Sequence, residues 1–236
     1  MYLKKITILR EKFPTEDRYP FSIETFQKTK RLSFETPVTI FAGENGTGKS
    51  TLLEAICRKC GIYIWAGEQR QSYKNNPYEK SMYKAIDVEW SKGKVPGSFF
   101  TSDVFKHFSK LLDEWAVNSP DLFEYFGGKS LITQSHGQGI ISFFKARYRI
   151  KGLYLMDEPE TALSPRTQLE LVNVLKETGQ NGTSQFILAT HSPILMACPG
   201  ARIFNFDENP INEIKYEKTE HYRIYKNFME DHRRYF

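Results

Sequence analysis

No apolar run in this 236-residue chain approaches the length needed to cross a bilayer. The opening stretch MYLKKITILREKF has no signal-type apolar core, so the sequence points to the cytoplasm and to no direct membrane insertion. Cysteine is scarce: Cys57, Cys60 and Cys198 are the only three. Cys57 and Cys60 form a C-x-x-C, but a zinc site needs a second pair. The spacing fits two thiols packed one turn apart on a helix. There is no internal repeat and no low-complexity segment. An excess of one charge is also modest: the net charge of +5 permits a nucleic-acid partner without requiring one. The basic, aromatic end HYRIYKNFMEDHRRYF reads as a docked helix or tail with a solvated face.

Hydrophobic residues at 40% and charged residues at 26% are ordinary for a globular protein of this size. The length suits one domain over 1–236 carrying an inserted lobe. MYLKKITIL, YPFSIETF and RLSFETPVTIFAG read as strands. Lys49 to Cys60 reads as a helix, with Leu52, Leu53, Ile56 and Cys60 on one face. Composition shifts from about 67, and the stretch to about 150 reads as a mostly helical lobe. Its clearest helix is SDVFKHFSKLLDEWAV, with Ser102 at the N-cap and Val104, Phe105, Phe108, Leu111, Leu112 and Trp115 on one face. IISFFKARYRI follows as a second helix. GLYLMDE and SQFILATH are short buried strands. Between them SPRTQLELVNVLKETG is a helix, with Ser164 at N-cap, Pro165 at N1 and Gly179 past its end. ARIFNFDE and INEIKYEK close the series. The pattern is α/β, a largely parallel sheet with helices on its faces and an antiparallel β portion at the N-terminus.

The chemistry sits at the strand ends. GENGTGKST, Gly43 to Thr51, fits G-x-x-x-x-G-K-S between a strand and a helix. Gly43, Glu44, Asn45, Gly46, Thr47 and Gly48 would curl backbone N–H groups around the phosphates of a bound nucleotide, helped by the positive end of the helix. Lys49 would reach the β- and γ-phosphates, and Ser50, with Thr51 beside it, would ligate Mg²⁺. LYLMDE ends in two acids at the carboxyl edge of the sheet, where open α/β sheets bind ligands. Asp157 would hold Mg²⁺, and Glu158 would act as general base on the attacking water. His191 follows another buried strand to the same edge. There its imidazole would meet the γ-phosphate or the attacking water. A second glycine turn, Ser135-His-Gly137-Gln138-Gly139, opens a helix and so makes a further anion site. It has no phosphate of its own within one subunit. A two-fold dimer, each subunit capping its partner's nucleotide, would supply one.

The ordered set of phosphate loop, glycine turn, acid pair, PETALSP loop and histidine resembles the ABC-class P-loop ATPases over nearly the whole chain. SHGQG is similar to that family's signature turn, and Glu160 to Pro165 to the loop that crosses its dimer interface. The resemblance implies ATP as the nucleotide, a head-to-tail ATP-sandwich homodimer, and contact of Ser135 and Gly137 with the γ-phosphate bound by the opposite subunit. ATHSPILMACPGARIFNFDE and EHYR resemble small stand-alone AAA-family ATPases, nearer the RecF and SMC type than transporter subunits. For a soluble ATPase of this class the expected outputs are nucleic-acid handling, repair or defence against foreign DNA, with nucleic acid or an unknown protein as partner. The alternative is the nucleotide-binding subunit of an ABC transporter. The family's glutamine ahead of the helical lobe is missing. Ser102 or Asp103 holds the comparable place, since Gln69 and Gln71 lie too near the first helix. Phe13 and Tyr19 are the candidates for stacking on adenine.

Overall fold

The structure, a computed structural model, describes residues 1–64, 76–116, 124, 130 and 136–236. Two sheets share the described residues. The smaller is antiparallel, with β1 (Leu3–Ile8) between β2 (Arg31–Ser33) and β4 (Ile86–Trp90). The larger has the order β5-β6-β7-β3-β8-β9, built from Gly97–Phe100, Gly152–Asp157, Ser184–Ala189, Val38–Ala42, Arg202–Asn205 and Asn212–Ile214. Its pairings are parallel except for the antiparallel edge strand β9.

The central strands are apolar on both faces because each face is covered, as in parallel sheets generally. Alternate side chains therefore enter two cores. Phe41, Leu153, Leu155, Ile187 and Ala189 pack with the small sheet and with α2 (Lys49–Lys59). Ile40, Tyr154, Met156, Phe186 and Leu188 pack beneath α3 (Ser102–Ala116), α4 (His136–Arg147) and α5 (Pro165–Gln180). The sheets are spliced by one buried amide. Gln185 Oε1 accepts from the backbone N–H groups of Tyr2 and Leu3, both at 2.8 Å, and its Nε2 donates to Leu3 O at 2.8 Å. Cys57 is buried within α2 and Cys60 at its C-cap, one turn apart as expected, and Cys198 is buried too.

Several local expectations are corrected. YPFSIETF is not a strand: turns lead into the one-turn α1 (Glu24–Lys28). Its alternation yields to the burial of Phe21 and Phe26, tertiary context overriding strand propensity. RLSFETPVTIFAG divides into β2 and β3, which belong to different sheets. The 67–150 stretch is less helical than expected, since β4 extends the small sheet and β5 the large one before α3 begins. Ser102 is already helical in α3, and the first helical bond runs from Phe105 N–H to Thr101 O at 3.0 Å. Phe105 and Leu112 are buried on that helix, while Trp115, expected on the same face, is 48% exposed. α4 begins at His136, inside the second glycine turn rather than after it. Ser164 caps α5 as expected, accepting from Thr167 N–H at 3.3 Å. Gly179 lies within that helix against Pro37, and the left-handed residue past its end is Gly182 at φ 69°.

Candidate functional site

Register brings the separate motifs to one level. Asp157 pairs with Ala189 across β6 and β7, and Phe41 pairs with Ala189 across β3 and β7. The loop Gly43–Gly48 therefore leaves β3, Glu158 leaves β6 and His191 leaves β7 at the same carboxyl edge, on adjacent strands. Such strands lie about 4.8 Å apart. Phe100 of β5 pairs with Met156, so Ser102 and Asp103 follow at this edge too. Gln69 and Gln71 lie outside the described residues.

The loop's shape depends on missing side chains. Gly43, Gly46 and Gly48 have φ of 145°, 83° and 101°. A Cβ on Gly48 would come within 2.6 Å of the Phe26 ring, and one on Gly43 within 2.8 Å of an Asp207 carboxylate oxygen. Asn45 and Gly46 are exposed at the tip, and Thr47 donates to Glu44 O at 2.9 Å. Lys49 folds back, and its Nζ donates to Gly43 O and Glu44 O at 2.7 Å each. It is 5% exposed. Burial pulls its pKa below the usual lysine value, against the attraction of Asp207, Glu158, Asp157 and Glu44.

Across the edge, Ser50 Oγ donates to Asp157 Oδ1 at 2.8 Å. A hydroxyl beside a carboxylate is a hard-oxygen pair that suits Mg²⁺. Among the described residues no group of three or more His, Cys, Asp or Glu gathers to hold a metal. Burial pushes the Asp157 pKa up to about 6, opposed by the Ser50 hydrogen bond.

Glu158 is the one non-glycine at positive φ among the described residues, at φ 44° and ψ 54°. Its N–H donates to Ala189 O at 2.9 Å, and its carbonyl accepts from Thr161. The side chain is 40% exposed, and its Oε1 stands 3.7 Å from His191 Nε2. That nitrogen is buried with no hydrogen-bond partner among the described residues. On the other side of the ring, His191 Nδ1 lies 3.1 Å from His221 Nε2. The His191 backbone N–H donates to Glu160 Oε1 at 2.6 Å. Burial lowers the His191 pKa, with Lys49 and His221 adding to the fall. Ser192 accepts from Ile194 and Leu195 N–H, capping α6 (Pro193–Met196), and donates to Gln168.

The first turn of α4 lies beside the start of α5, the helix that follows Asp157 and Glu158 in the chain. A Cβ on Gly137 would lie 3.4 Å from Thr167 Oγ1 at the start of α5. Gln138 is exposed and Gly139 buried, while Ser135 lies outside the described residues. Tyr19 reaches the cradle, its hydroxyl 2.7 Å from Thr51 Oγ1, whereas Phe13 packs on Phe21 with ring centroids 4.7 Å apart.

The roles of three residues of the site escaped sequence reading. Asp207 Oδ1 accepts the Glu44 N–H at 2.6 Å, Glu160 holds the His191 backbone, and His221 holds its ring. Each comes from outside the motif it supports. The resemblances carried by PETALSP, ATHSPILMACPGARIFNFDE and EHYR covered Glu160, Asp207 and His221 without giving any of them these roles.

A family model described as an AAA ATPase domain matches residues 68–196, over half of the chain, and a second, described as an AAA domain, matches 22–94. Among curated proteins none is similar in sequence. Solved structures share the fold. An SMC head bound to the C-terminal winged-helix domain of ScpA is 14% identical, covering 92% of this chain and 99% of that one, with a TM-score of 0.54. The SMC head domain from Thermotoga maritima is 15% identical, covering 91% and 100%, with a TM-score of 0.50. An ATP-binding cassette of an ABC transporter in its ADP conformation is 16% identical, covering 98% and 96%, with a TM-score of 0.52. The chain belongs to the AAA ATPase domain family, an ATP hydrolase family, and its fold is that of the SMC-head and ABC-cassette ATPase structures.

Proposed function

We propose that the protein is an ATP-driven clamp, in which nucleotide binding closes a head-to-tail homodimer and hydrolysis reopens it. The observation that carries the reading is the convergence of Lys49, the Ser50–Asp157 pair, Glu158 and His191 at one sheet edge. In this reading Lys49 gives up the Gly43 and Glu44 carbonyls for the β- and γ-phosphates, and the loop N–H groups hold the rest of the chain of phosphates. Mg²⁺ held by Ser50 and Asp157 would neutralise charge on the phosphate oxygens. Glu158 takes the proton of the attacking water, and His191 Nε2, free to bond, contacts the γ-phosphate. Gly137, Gln138 and the first turn of α4, with Ser135, present an anion site to the partner's nucleotide. Gly137 stands beside Thr167 at the start of α5, the helix that follows Asp157 in the chain, which supports closure across this edge. With a net charge of +5, any action on nucleic acid is electrostatic and falls steeply with salt.

Mixing two inactive variants tests the sharing. Lys49→Ala spoils a subunit's own cradle, and Ser135→Arg spoils the turn lent to the partner. In a mixed dimer one composite site carries both lesions and the other carries neither. Equal mixing makes about half the dimers mixed, so roughly a quarter of all sites should be intact. Single-turnover hydrolysis should recover toward that fraction. Mixed dimers that form with ATP yet hydrolyse nothing in one round would refute the shared site.

A further inference from the structure

The second imidazole beside His191 has no part in the motif set. His221 enters from α7 (Glu220–Glu230), an element far along the chain from the phosphate loop and the acid pair. Its placement is built. Thr219, 3% exposed, accepts the Tyr222 N–H at 3.3 Å and donates to Tyr216 O at 2.7 Å, fixing the first turn of α7. The Tyr216 and Tyr222 rings pack with centroids 4.7 Å apart. The His221 side chain is 11% exposed, and its Nε2 lies 3.1 Å from His191 Nδ1 and 4.0 Å from Glu44 Oε1.

Two imidazole nitrogens facing each other at this distance share one N–H, and whichever nitrogen carries it decides what the other face of His191 can do. Both flanking carboxylates favour the same arrangement. Glu44 draws a proton onto His221 Nε2, and Glu158 draws one onto His191 Nε2. His221 then donates to His191 Nδ1, and His191 turns an N–H toward the reaction edge. We propose that His221 is a positioning residue that locks His191 in the Nε2–H tautomer, so that His191 meets the γ-phosphate as a donor. This rests on the γ-phosphate role of His191 given above.

The test uses the full chain. His221→Phe keeps a ring on α7 and removes its nitrogens, and kcat should fall about tenfold or more with KM for ATP unchanged, the scale of loss when the outer partner that orients a metal-ligating histidine is removed. His221→Gln restores an N–H near the position of Nε2 and should recover most of that loss. In a His191→Ala background, His221→Phe should add nothing in single-turnover hydrolysis. NMR of protein carrying ¹⁵N-labelled histidine should find His191 protonated on Nε2 in the wild type and on both nitrogens in exchange in His221→Phe. Wild-type kcat in His221→Phe, a Gln variant no better than Phe, additive loss with His191→Ala, or a His191 proton on Nδ1 would each overturn the assignment. The two readings separate cleanly. Normal turnover in His191→Ala removes the γ-phosphate role itself, whereas a slow His191→Ala beside a normal His221→Phe removes only the role of His221.

Discussion

Glu158 sits in a backbone conformation that a β-carbon makes unfavourable, by roughly 1–2 kcal/mol for an L-residue. Strain of this kind persists where surrounding bonds impose it, and here the Ala189 carbonyl does so. Glu158→Gly should therefore raise the unfolding free energy by about 1 kcal/mol while abolishing turnover, a trade readable by urea titration beside a phosphate-release assay. An unchanged or lowered stability would show that the conformation costs nothing. Asp157 gives a pH prediction. Its folded pKa of about 6 lies above the ordinary carboxyl value, so between the two the folded protein holds the extra proton. Stability from this group is complete below that window and declines as pH rises through it. On the proposed function Mg²⁺ would displace the same proton, and Mg²⁺-dependent ATP binding should then weaken about tenfold per unit below pH 6 and level off above it. Asp157→Asn should flatten that part of the slope; equal slopes in both proteins would refute it. At this scale the motif residues were legible, because a phosphate loop demands glycines and a lysine at set spacing. Asp207, Glu160 and His221 were not, because their hydrogen bonds cross from remote segments.

Gln185 decides how two elements meet. It is fully buried in β7, and its amide satisfies three backbone groups at the start of β1. Gln185→Leu would fill the same space and strand those groups, each at about 1–3 kcal/mol. A net loss of about 3 kcal/mol in chemical unfolding is expected, and a loss below about 1 kcal/mol would mean the sheets are joined by apolar packing alone. Strongly patterned elements, such as α2, α5, β6 and β7, could be read from periodicity and capping. YPFSIETF could not, because Phe21 and Phe26 turn inward together. Nor could β4 and β5, whose partners β1 and β6 lie far from them in the chain.

For the whole molecule, the dimer reading predicts that Glu158→Gln binds ATP normally, hydrolyses it about 10²–10⁴-fold more slowly, and accumulates as a dimer with ATP and Mg²⁺. Light scattering checks this, and a monomer at saturating ATP would count against closure. The sequence by itself determined that strands and helices alternate around a phosphate loop, because periodicity, glycine and capping act over a few residues. It also determined the order of acids and histidine at strand ends. Only the tertiary structure decided that Phe41, Ala189 and Asp157 stand level across three strands, which sets the loop, the acids and His191 at one edge. It alone brought α7 to that edge, so that His221 meets His191. Register and helix docking are set by burial of whole faces, summed over residues distant in the chain, and no local pattern carries that sum.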